Sequence, residues 1–173
     1  MIDSATNEIV TIIANVALAL SVVVALIFGI AQVTAAARDR RERLTLETLR
    51  NFQTREFAEL MHQVSRCDLP KTSDELLAFP ADQQILFVQL AQQMESLGIL
   101  VAERLVNIDL VDKTLGSFVT TSWEKYKPAL LDMRVKTSDP FLAEYFQWLA
   151  ETIATRMQNK PRKPFYDSGA LSR

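Results

Sequence analysis

The 173 residues hold one cysteine, one histidine, four glycines and six prolines. A lone Cys67 excludes an internal disulfide and any zinc site built on several cysteines, and a single thiol suits a reducing cytosol. With so few Gly and Pro, and no sustained period-two alternation, a turn-rich β fold has little to build on. A glycine-rich phosphate loop, a G-x-S-x-G elbow and a dinucleotide fingerprint are all missing, so no cofactor is implied.

The sole histidine, His62, has Glu59 one helical turn before it and Arg66 one turn after. Glu59-x-x-His62 has the spacing of a carboxylate-bridged di-metal bundle, but that site needs the motif twice. The pair reads instead as a solvated helix face, with neither a catalytic nor a metal-binding role. Asp109 and Asp112 read as an N-cap and a first-turn acid, again without metal.

Charge is missing over a long stretch. Between Glu8 and Arg38 lie 29 uncharged residues, with an apolar heart from Ile9 to Val33. A bilayer core of about 30 Å needs roughly 20 apolar residues in a helix. The segment therefore reads as a transmembrane helix, with Asn15 its one costly polar group. A cleaved signal peptide fits poorly, since no Lys or Arg precedes the run and the run is too long. Four cations, Arg38, Arg40, Arg41 and Arg43, follow it, so the positive-inside rule orients the N-terminus outside and the remainder in the cytoplasm.

Further along, the charge is partitioned. Residues 34–66 carry seven cations and five anions, 67–158 eight and thirteen, and 159–173 four and one. An acidic body argues against a nucleic-acid face, which needs clustered cations. The basic ends suit an anionic leaflet.

The expected organisation is an external stub (1–8), the span (9–33), a basic helix continuing it (34–66), an acidic helical domain (67–158) and a disordered basic tail (159–173). No Gly or Pro falls between Ile30 and Leu69, so one helix is expected to run from the membrane to about Arg66. Thr72-Ser-Asp-Glu75 has the form of a capping box. A helix follows from about Ala81 to Leu105, with Leu86, Leu90, Met94, Leu97, Val101 and Leu105 buried. The next runs from about Leu110, capped by Asp109, to Lys136, with a kink or split at Pro128. Asp139-Pro140 restarts the chain as cap and first helical residue. The fold class is all-α: the transmembrane helix leads into a cytosolic antiparallel bundle of four to five helices.

Two candidate interaction sites emerge. Ala17, Ser21, Ala25 and Gly29 stand four apart, which places them along one face where two helices can approach closely. The same ladder can arise by accident among seven small residues. Trp123, Tyr126 and Trp148 are candidate partner anchors, although Trp123 and Tyr126 fit a core stripe as well. Gly98 and Gly116, inside helical patterns, point to close helix crossings.

The segments LRNFQTREFAELM, MESLGILVAERLVNIDLVDKTLG, SWEKYKPALLDMR and PFLAEYFQWLAE resemble a family of uncharacterised bacterial proteins described as a domain of unknown function. The resemblance covers about Arg38 to Met157. It implies a bacterial inner-membrane setting and a helical cytosolic domain, and it brings no catalytic residues. Two functions are consistent with this reading. One is a membrane-tethered, non-catalytic interaction or signal-relay module with an unidentified protein partner. The other is a stress or phage-defence effector that forms a homo-oligomer through its span and perturbs the bilayer.

Overall fold

The computed structural model describes residues 4–66 and 68–162, with side chains from residue 8 onward. The expectations placed on Cys67 and on the tail beyond Arg162 lie outside the described residues.

Six helices make up the described structure: α1 (Ser4–Asn51), α2 (Arg55–Arg66), α3 (Ser73–Ala78), α4 (Ala81–Ala102), α5 (Ile108–Thr137) and α6 (Glu144–Asn159). The chain divides into two units, Met1–Glu42 and Arg43–Arg173. The first is the apolar length of α1. The second takes the last turns of α1 and all other helices.

In the second unit α6 packs against both α4 and α5. α5 and α6 run antiparallel: Arg134, late in α5, bonds to Leu142 O and Gln147 ahead of and early in α6, while Asp109, early in α5, pairs with Arg156 late in α6. Aromatic rings fill the centre. Phe87 stacks on Tyr126 at 4.3 Å, and Phe146 meets Trp123 edge-on at 5.2 Å. The buried hydrophobic cluster begins at Leu49 and contains no residue of the apolar stretch before it.

Several expected boundaries move. The helix expected to reach Arg66 breaks at residues 52–54. Phe52 N–H and Gln53 N–H bond three residues back, to Leu49 O and Arg50 O, which tightens the last turn of α1. Thr54 then caps α2, its Oγ1 accepting from Phe57 N–H at 3.2 Å, and Phe52 packs on Phe57 at 4.9 Å. A hydroxyl cap with an aromatic contact across it ends the continuity without Gly or Pro.

Helix α4 stops at Ala102. Arg104 takes a left-handed φ of 58°, and Leu105 and Val106 N–H both bond to Leu100 O. Val106 is therefore buried while Leu105, expected in the core, is 45% exposed. The cap of α5 is Asn107, whose side chain accepts from Asp109 N–H at 2.8 Å, and not Asp109. Pro128 neither splits nor ends α5. It sits at an exposed position, where solvent can replace the missing bond.

Helix α6 begins at Glu144, not Pro140. Asp139 Oδ1 does accept from Phe141 N–H at 3.0 Å, but this closes a turn, and Ala143 at φ 57° redirects the chain before the helix. The Thr72 cap is as expected, with Glu75 N–H on Thr72 Oγ1 at 3.2 Å; the returning Glu75 carboxylate takes Lys71 N–H at 2.7 Å.

Candidate functional site

The described chain offers two surfaces: the apolar length of α1, and a groove on the helical domain.

On α1 every large hydrophobic from Ile9 to Val33 is about half exposed or more. Ala17, Ser21, Ala25 and Gly29 are all exposed along it. Ser21 Oγ donates to Ala17 O at 2.8 Å, which satisfies the hydroxyl within the helix. A Cβ at Gly29 would meet nothing within 4 Å, so Gly29 leaves a shallow hollow bordered by Ala25, Leu26 and Val33. Arg38, Arg40, Arg41 and Arg43 are exposed, and Arg38 pairs with Glu42 at 3.0 Å.

The three candidate anchors do not form one patch. Trp123 and Tyr126 are buried in the core at 2% and 0% exposure, and only Trp148, at 40%, reaches the surface. The two buried rings hold the domain together and are not available to a partner.

What the domain does present is a groove of about 520 Å³, lined chiefly by Phe87, Val88, Ala91, Leu130, Met133 and Leu142. At its edge Glu95 faces the start of α6, where its carboxylate accepts Tyr145 N–H at 3.2 Å and Phe146 N–H at 2.8 Å. Helix N-termini leave donors unsatisfied and favour negative charge. Glu95 supplies both, from a different helix. Alongside, a Cβ on Gly98 would lie 2.6 Å from Tyr145 C and 2.9 Å from Tyr145 Cβ. Gly98 is thus the close crossing between α4 and α6. Gly116 is crowded instead by its own helix's Asp112 side chain, with Ile153 and Met157 of α6 at 3.4 Å.

Other helix ends are tied in the same manner. Asp132 on α5 accepts Ser73 N–H and Ser73 Oγ, each at 2.7 Å, at the start of α3. These bonds, the backbone one foremost, hold the Asp132 carboxyl below its ordinary range. Lys136 pairs with Asp74 at 2.8 Å and Asp132 at 3.2 Å. The Asp74 bond, ahead of the Asp132 contacts, raises the Lys136 ammonium above its ordinary range. At the end of α2, Lys125 Nζ donates to Val64 O and Ser65 O at 3.2 and 3.0 Å. Thr45, fully buried late in α1, accepts Asn107 N–H at 3.0 Å.

None of these capping groups was singled out by sequence patterns. Glu95 had one visible signal: it is the only charge between Asp82 and Glu103. Among the described residues no three His, Cys, Asp or Glu side chains gather as metal ligands. His62, exposed, lies 3.5 Å from Arg66 Nη1, and Glu59 pairs instead with Arg55.

Among the described residues, two helical segments are by length and composition apolar enough to cross a membrane, Glu8–Asn51 and Ala81–Ala102. The second contributes Phe87, Leu90, Met94, Leu97 and Val101 to the core. The first buries nothing in its most apolar window. The protein is therefore all-α, with a long exposed apolar helix ahead of a packed helical domain. It belongs to the family described as Domain of unknown function (DUF4760), which matches residues 19–153. The match starts inside the apolar stretch, upstream of Arg38. No curated protein and no solved structure matches the chain.

Proposed function

We propose that this is a single-pass membrane protein of the bacterial inner membrane, with the N-terminus outside and a cytoplasmic helical domain acting as a non-catalytic interaction or relay module. One observation carries this reading. The large apolar side chains from Ile9 to Val33 are all exposed, while the hydrophobic cluster from Leu49 onward is packed. An exposed apolar surface of that length has a favourable surrounding in lipid and none in water. The arginines after it set the orientation.

The interaction role is supported by the apolar groove beside Glu95, with Val88 in its lining at 44% exposure and Phe141, next in sequence to the lining Leu142, at 68%. Photo-crosslinking residues placed at Val88 and Phe141 in the full chain, in cells, test it. The expected result is a discrete crosslinked species at the groove and none from a probe at exposed Glu56. Equal labelling at all three positions would remove the groove from the account.

A second reading is favoured by the hollow at Gly29. There the span self-associates along Ala17, Ser21, Ala25 and Gly29, and the oligomer perturbs the membrane. Ala25→Ile with Gly29→Ile is then expected to abolish self-association in a membrane dimerisation assay, together with any loss of membrane potential on overexpression. Unchanged association in that variant argues against the ladder.

A further inference from the structure

Between Asp82 and Glu103 helix α4 carries one charge, Glu95, and that carboxylate is engaged with the start of α6. A solvated helix face ordinarily carries Lys and Glu. Here the exposed polar positions are Gln83, Gln89, Gln92 and Ser96. The last three line a cavity of about 340 Å³, together with Gln93. Asn51 and Phe52 close it from the end of α1. The lining holds no ionisable side chain, and the cavity lies wholly within the second unit.

The chemistry of this lining is narrow. Amides both donate and accept, and so do hydroxyls. Among the described residues the side chains of Asn51, Gln89, Gln92, Gln93 and Ser96 have no hydrogen-bond partner. Gln93 Oε1 is moreover buried in that state, which is unfavourable until a donor reaches it. The last torsion of a glutamine is broad, so a modest turn of the amide aims this oxygen into the cavity. Phe52 adds a ring, held edge-on to Phe57 at 4.9 Å. Aromatic faces are electron-rich and attract weakly positive C–H groups. The volume is that of a small-molecule site. A phosphate or carboxylate would find no cation here to offset its loss of water.

We propose that this cavity binds an uncharged sugar or polyol, whose hydroxyls pair with Asn51, Gln89, Gln92 and Gln93 while a C–H face lies on Phe52. A ligand so held joins the end of α1 to α4, at the break of residues 52–54. The site goes beyond the interaction reading and does not depend on the span.

Saturation-transfer NMR of the full chain in a polyoxyethylene detergent, which carries no sugar, tests it. The probes are glucose, N-acetylglucosamine, myo-inositol, glucose 6-phosphate and adenosine, each alone. Saturation transfer is expected to at least one of the three uncharged polyols, with glucose 6-phosphate bound no more tightly than glucose. Gln92→Leu with Gln93→Leu removes two hydrogen-bonding groups and is expected to weaken that binding about tenfold or more. Asn51→Ala with Gln89→Ala, at two exposed positions, is expected to weaken it similarly, which covers the case in which the Leu pair fails to fold. Glu56→Gln, on α2 and outside the lining, is expected to change nothing. Absence of transfer to all three uncharged polyols overturns the site, and so does binding that survives both paired variants. Transfer to adenosine alone, or a preference for glucose 6-phosphate over glucose, overturns an uncharged sugar or polyol as the ligand.

Discussion

The Glu95 carboxylate on α4 accepts the backbone N–H of Phe146 at 2.8 Å, one turn into α6. Phe146 is fully buried and its ring meets both Trp123 and Tyr126. A single acid from a distant part of the chain therefore fixes where α6 starts and how its first buried aromatic enters the core.

Glu95→Ala is expected to destabilise the domain by about 1–3 kcal/mol, since charged caps and bonds to charged groups fall in that range. Glu95→Gln keeps one acceptor oxygen and should lose less. Denaturant titration of the full chain in detergent measures both. Equal stability of the Ala variant and the parent would remove Glu95 from this role.

Gly98→Ala and Gly116→Ala should separate. Ala in a helix interior is favoured over Gly by about 1 kcal/mol. At Gly98 the new methyl runs into the Tyr145 backbone, and overpacking against backbone should leave a net loss of about 2 kcal/mol or more. At Gly116 it meets the buried Asp112 carboxylate at 2.7 Å, a side chain rather than backbone, so the loss should be smaller than at Gly98. Thermal unfolding of the two variants side by side gives the comparison.

Trp123→Ala should cost about 3–5 kcal/mol, as expected for a large buried ring. Trp148→Ala should cost less than Trp123→Ala, because the Trp148 ring is 40% exposed and its removal opens no enclosed cavity. The same unfolding measurement ranks them, and the reverse order would contradict the core assignment.

Asp132 and Lys136 give the domain a pH signature. The Asp132 carboxyl is held low by Ser73, so its contribution is complete above the ordinary aspartate value of about 3.9 and is lost as pH falls through the lowered one. Lys136 is held high by Asp74 first. Its contribution is complete below the ordinary lysine value of about 10.4 and is lost as pH rises through the raised one. Asp132→Asn is expected to be less stable than the parent at neutral pH and to converge with it in acid. Lys136→Met is expected to converge with it in strong base. Stability followed across pH checks both directions.

Helices were legible in the sequence because their apolar periodicity was strong. Leu90, Met94, Leu97 and Val101 mark α4, and Phe146, Leu149 and Ile153 mark α6. The Thr72 cap and Glu75 were legible too, since their partners are local. What escaped was set by tertiary contacts. Local signals place the start of α6 at Asp139-Pro140, while Glu95, some fifty residues earlier, moves it to Glu144. The break at residues 52–54 escaped because Thr54 caps α2 without Gly or Pro to announce it. Trp123 and Tyr126 were legible as members of a core stripe as well as candidate anchors, and the packing of α4, α5 and α6 buries both.

The proposed function stands on Ile9 to Val33 spanning a membrane. Alkaline carbonate extraction of membranes from bacterial cells expressing the full chain tests it most directly. A spanning chain stays in the membrane pellet through high salt and alkaline carbonate, and is released by detergent. Release of the chain into the supernatant by carbonate would contradict it.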